Sequence, residues 1–103
     1  VEMDYRIELD DLEARIFVTG RLTFNDHGKV RSMIQEMVQS HPKRQVMMIG
    51  GLEFVDSSGL GMILVAREEV AQVDKKLFLR GAQGQVKRVL SVAQLDKIVD
   101  IQD

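Results

Sequence analysis

Cysteine is absent from this 103-residue chain. That excludes a disulfide framework, a thiol nucleophile and a Cys-ligated zinc site, and it agrees with a reducing compartment. Long apolar runs are missing as well. The longest, Val46–Leu52 and Leu60–Ala66, fall far short of the roughly 20 residues a membrane span requires. The first residues, Val-Glu-Met-Asp, are acidic and carry no signal-peptide core. We therefore expect a soluble, cytoplasmic protein with no membrane partner. An excess of positive charge is also lacking: the formal net charge is −2. Nucleic-acid binders usually carry a clear basic excess, so direct nucleic-acid binding is not expected. With one proline and eight glycines, no linker, repeat or low-complexity tract divides the sequence.

What is present is the composition of one globular domain spanning residues 1–103. At 45% apolar and 29% charged residues, disorder is disfavoured. A chain of this length can bury roughly two-thirds of its surface, enough for one modest core.

Periodicity supplies the elements. Tyr5, Ile7 and Leu9 alternate with Arg6 and Glu8, the pattern of a half-buried strand. Ala14–Thr19 is rich in β-branched and aromatic residues, and Asp10-Asp11 opens a turn between the two, so a hairpin is expected, closed by Gly20. Val30, Met33, Ile34, Met37 and Val38 form a stripe of period 3.6 on a helix from about Asp26 to Ser40, with Asn25 or Asp26 as cap and Pro42 beyond its end. Val46–Ile49 is a continuous apolar strand that runs on through Leu52–Val55. A second helix follows over Leu60–Val73, a short strand over Leu77–Leu79, a third helix from Gly84 to about Ala93, and a last strand near Val99–Ile101. Helices alternating with strands imply right-handed crossovers. The fold class is α/β, with a mixed, mostly parallel sheet of four to five strands, an antiparallel N-terminal hairpin and three to four helices.

The chemistry-bearing stretch is Phe54-Val55-Asp56-Ser57-Ser58-Gly59-Leu60-Gly61-Met62, which spans a strand end, a turn and a helix start. Ligands of α/β sheets gather at such carboxyl ends. Ser57 is placed to cap the helix, and Asp-Ser-Ser-Gly is also simply a good helix start. Enzyme motifs fail one by one. The third glycine of a dinucleotide fingerprint falls on Leu64, and no phosphate-binding Gly-x4-Gly-Lys pattern exists. The extra serine breaks an aspartic-protease signature. No Gly-x-Ser-x-Gly elbow accompanies the serines. His27 and His41 lie at the two ends of the first helix as surface residues, without the clustered carboxylates a metal site needs. What remains is a serine at a helix start, where a phosphate would add nearly two negative charges and alter docking of a partner.

The segment from Phe54 to Leu64 resembles the signature of bacterial STAS domains, in the anti-sigma factor antagonist branch, and the resemblance extends to Gly20, Val86–Leu90 and Leu95–Ile98. It implies the STAS fold and a partner switch. The unphosphorylated domain binds an anti-sigma factor that is a serine kinase of the histidine-kinase-like ATPase fold. That kinase phosphorylates the second serine, here Ser58, with Ser57 the lesser candidate, and a serine phosphatase reverses it. The domain catalyses nothing and needs no cofactor, because the ATP belongs to the partner. The alternative within the family is a STAS subunit of a lipid-transport ATPase complex or another interaction module that is not phosphorylated. The implied partner surface comprises Thr23, Phe24, Asn25 and Asp26 with Asp56, Ser57, Ser58, Gly59, Leu60, Gly61 and Met62. Two departures stand out. Thr23 occupies a position often acidic in the family, with Asp26 the nearest substitute, and Gly50-Gly51 stands where many members carry an acid, which is expected to bend that strand end. Phe24 is either tucked into the core or exposed as an anchor.

Overall fold

The computed structural model describes residues 2–103. Five strands form one sheet in the order β1 (Asp4–Leu9), β2 (Glu13–Leu22), β3 (Arg44–Val55), β4 (Lys76–Arg80), β5 (Asp100–Gln102). The β1–β2 pair is antiparallel, and β2 to β5 are parallel to one another. The crossovers carry α1 (His27–Gln39), α2 (Ser57–Gln72) and α3 (Gly84–Val92), with single 3₁₀ turns at Phe24–Asp26 and Leu95–Lys97. Each crossover steps the same way along the sheet, so right-handed connections stack all three helices on one face.

Burial follows that geometry. Along β2, Ala14, Ile16, Val18 and Leu22 are buried under the helices, while Arg15, Phe17, Thr19 and Arg21 point the other way. The stripe expected on α1 is confirmed, with Val30, Met33, Ile34 and Met37 all buried. On α2 the buried line is Gly59, Ile63, Ala66 and Val70. Leu60 and Leu64 are only partly covered. Small residues at 59 and 66 let the helix sit close to the sheet. On the helix-free face three phenylalanines lie beneath guanidinium groups: Arg6 over Phe17 and Arg21 over Phe54, each 4.2 Å from the ring centre, and Arg44 over Phe78 at 4.1 Å. These cation–π contacts shield aromatic surface that no helix covers.

Three expectations need correction. Gly20 does not end β2, which continues to Leu22. Gly20 has φ +86°, and a Cβ there would overlap the Glu2 carbonyl, so glycine is needed where the N-terminal segment passes, not as a stop. The bend expected at Gly50-Gly51 is found, but within β3 and not at its end. The pairing slips between Phe17–Met48 and Thr19–Gly51, so Gly50 lies in a bulge, and the strand runs on to Val55. Leu9 is exposed at the hairpin tip, beyond the reach of the helix layer.

Candidate functional site

In the register between β2 and β3, Leu22 pairs with Val55, so the two strands end side by side. The Asp56 N–H donates to the Leu22 carbonyl at 3.3 Å. The loop after β2 and the turn after β3 therefore share one edge of the sheet. The structure brings Thr23–Asp26 and Asp56–Met62 together there, although 30 or more residues separate them in sequence.

Asp56, not Ser57, caps α2. Its backbone is extended, and its carboxylate accepts from the Gly59 N–H at 2.7 Å. This satisfies one of the helix's orphan donors. Ser57 and Ser58 are the first two helical residues, and neither hydroxyl has a hydrogen-bond partner among the described residues. Ser57 is exposed and Ser58 half-buried. Both hydroxyls are thus free for chemistry. Gly59 is fixed by contact: a Cβ would stand 2.5 Å from both the Leu22 carbonyl oxygen and Val55 Cγ2. Gly61 differs, because nothing lies within 4 Å of its missing side chain.

In the facing loop, Asp26 is buried. Its carboxylate accepts from the Thr23 N–H at 2.9 Å and from the Thr23 hydroxyl at 3.2 Å, while the Asp26 N–H donates back to the Thr23 carbonyl at 3.0 Å. This reciprocal box spends both side chains on the loop itself. Asp26 immediately precedes α1 but makes no side-chain cap bond to it. What the loop shows to solvent is Asn25 and Phe24, whose ring is 67% exposed and stacks on His27 with centroids 5.8 Å apart. Of the two placements open for Phe24, the exposed one is found.

Two glutamines support this edge and carry no sequence signal. β4 pairs with β3 only over Arg44–Met48, leaving the rest of that side of β3 without a strand neighbour. Gln83 Nε2 donates to the Gly50 carbonyl at 2.6 Å. Gln85 makes both bonds of a strand partner, accepting from the Val55 N–H at 3.1 Å and donating to the Val55 carbonyl at 3.0 Å. Buried backbone groups need such partners, and only the fold shows that the first turn of α3 supplies them beside the serines.

Elsewhere two titrating groups are displaced furthest. Partial burial, and then the hydrogen bond to Glu36, push the Tyr5 phenol up to about 12. At the hairpin tip, Arg15 and the backbone N–H groups of Glu13 and Leu12 hold Asp10 down at about 2. Both lie away from the serine edge and belong to the scaffold. No helix among the described residues is long and apolar enough to cross a membrane.

This strand-end turn with its capped Asp-Ser-Ser-Gly helix start sits on an α/β sheet opened by an antiparallel hairpin. The chain belongs to the STAS domain family, whose model matches residues 7–103. Among curated relatives it is 27% identical to a STAS-domain containing protein of Pseudomonas aeruginosa, covering 89% of this chain and 90% of the relative. It is 28% identical to the anti-sigma F factor antagonist of Paenibacillus polymyxa, covering 98% and 89%. The fold is shared with an anti-sigma factor antagonist of Mycobacterium paratuberculosis (TM-score 0.85, 18% identity, 98% and 86% covered). It is shared too with phosphorylated SpoIIAA of Bacillus (0.69, 20%, 95% and 90%). The STAS domain of a SulP transporter from Vibrio cholerae has it as well (0.70, 15%, 93% and 77%).

Proposed function

We propose that this chain is an anti-sigma factor antagonist that works as a phosphorylation-controlled binding module. The observation that carries the reading is the edge itself: two unengaged serine hydroxyls on a firmly capped helix start, next to a loop that holds a phenylalanine ring in solvent. In this reading the unphosphorylated edge binds an anti-sigma factor that is also a serine kinase with a histidine-kinase-like ATPase fold. That protein places a phosphate on Ser58, the complex dissociates, and a serine phosphatase restores the first state. The domain itself performs no catalysis. Ser58 is the residue that the family motif assigns. Ser57 is the lesser candidate, although its greater exposure makes it the necessary control.

The physical basis of release is charge. A phosphoserine carries about −1.5 to −2 at neutral pH. Set in the middle of a docked surface, such a group is costly to desolvate unless a cation meets it directly. The half-buried position of Ser58 and the neighbouring Asp56 carboxylate both add to that cost.

The test is retention from an extract of the source organism on immobilised Ser58→Ala and Ser58→Glu chains. A small ATP-binding serine kinase held by Ser58→Ala and not by Ser58→Glu supports the reading. Recovery of a transporter's ATPase subunit, equally on both, would favour the lipid-transport alternative and overturn the switch.

A further inference from the structure

The serine edge is flanked by two grooves, one on each side of the start of α2. The first runs between α1 and α2, with Ile34, Met62 and Val65 as its apolar walls and His27 and Arg31 along its rim. The second runs between the first turn of α2 and α3, where Leu60 faces Val89, Val92 and Ala93, with Arg88 at its side. Val65 is 44% and Val92 85% exposed, so each groove leaves an apolar side chain open to solvent. Each groove has one wall about a turn from Ser58 along α2: Met62 in the first and Leu60 in the second.

The charges are one-sided. From Ser57 to Ala66, α2 carries no charged residue at all. Arg31 and Arg88 are exposed. Neither has a carboxylate within 4.0 Å among the described residues, whereas eight of the other twelve lysines and arginines do. The two carboxylates of the edge are turned inward: Asp26 is occupied by Thr23, and Asp56 by the Gly59 N–H. The nearest acid in either groove is Glu69, two turns beyond Met62 at the foot of the first. A chain with net charge −2 thus presents a cationic rim around its candidate switch.

We infer that the partner docks through an acidic face that also carries apolar side chains, which enter the two grooves while carboxylates meet Arg31 and Arg88. This rests on the reading of the edge as a phospho-switch, and the two agree in sign. Adding a dianion to this surface repels an acidic partner; it would attract a basic one. Release upon phosphorylation therefore follows directly if the partner is acidic. Charge complementarity of this kind acts mainly on association rate and specificity.

The test uses the protein that the Ser58→Ala chain retains and the Ser58→Glu chain does not, purified and measured against the full-length chain by surface resonance. Arg31→Glu and Arg88→Glu should each slow association by about tenfold and together more. Lys43→Glu, at the opposite end of β3, should change nothing, and raising the salt concentration should slow the wild type towards the double variant. Melting temperatures check that each variant is folded. Unchanged or faster association of folded Arg31→Glu and Arg88→Glu would overturn the acidic-face inference and leave the switch standing. If no protein in the extract distinguishes Ser58→Ala from Ser58→Glu, the switch itself fails and this inference falls with it.

Discussion

Gly59 and Gly61 lie two residues apart in the first turns of α2, yet alanine should have opposite effects at the two positions. At Gly59 a methyl group meets the Leu22 carbonyl oxygen and Val55 Cγ2, each at 2.5 Å. Neither neighbour yields cheaply, since Leu22 is the last residue of β2 and its carbonyl holds the Asp56 N–H. Overpacking of this kind costs about 1–3 kcal/mol, and two contacts this short place it toward the upper end. Alanine's advantage over glycine in a helix, about 1 kcal/mol, offsets part of that and leaves a net loss of about 2 kcal/mol. At Gly61 no atom lies within 4 Å, so only the helix term acts, a gain approaching 1 kcal/mol. For a domain of this size 1 kcal/mol is about 4–8 °C. Calorimetry should therefore show Gly59→Ala melting about 8–16 °C lower and Gly61→Ala up to about 4–8 °C higher. Urea titration should give unchanged slopes for both. Shifts of the same sign, or a destabilised Gly61→Ala, would refute the packing argument for this helix start.

Three further outcomes follow from the same geometry. Asp56→Ala removes the cap on Gly59 and should cost about 1 kcal/mol in urea denaturation, while Asp56→Asn, which keeps an acceptor, should lose only a fraction of that; equal losses would mean the Gly59 N–H bond is not the source. Phe24→Ala should leave stability within about 0.5 kcal/mol, because the ring is mostly in solvent, but weaken partner binding by about 2 kcal/mol; unchanged calorimetric affinity would remove the loop from the interface. Tyr5 is the chain's one tyrosine, so its ionisation can be followed by ultraviolet absorbance. With the folded phenol at about 12, above its ordinary value of 10.0, its contribution to stability is complete below pH 10 and lost as pH rises through 12. Glu36→Gln should bring the titration down, and a wild-type midpoint at the ordinary value would contradict the burial and contact described.

The legibility of the sequence varied with how local each cause was. The α1 stripe of Val30, Met33, Ile34 and Met37 was plain, because one helix face meets one sheet and the 3.6 period records it. The Asp-Ser-Ser-Gly helix start was visible too, but its cap lay one residue earlier than expected. Asp and Ser cap almost equally well, and the choice falls to Asp56 because its N–H is held by Leu22 from another strand. Gly20 read as a terminator for the same reason: glycine's local habit is to break strands, whereas the constraint here comes from the Glu2 carbonyl, distant in sequence. The strand ladder supplied by Gln85, the inward turn of Asp26 and the groove walls shared between helices all depend on contacts across elements, which no window of sequence displays.

The central claim is that Ser58 is the switched residue, and intact mass spectrometry tests it most directly. The purified chain is incubated with ATP and an extract of its source organism, alongside Ser57→Ala and Ser58→Ala. The account predicts a gain of one phosphate, about 80 Da, in the wild type and in Ser57→Ala, and none in Ser58→Ala. A phosphate that persists in Ser58→Ala, or a wild-type chain that gains none, would contradict it.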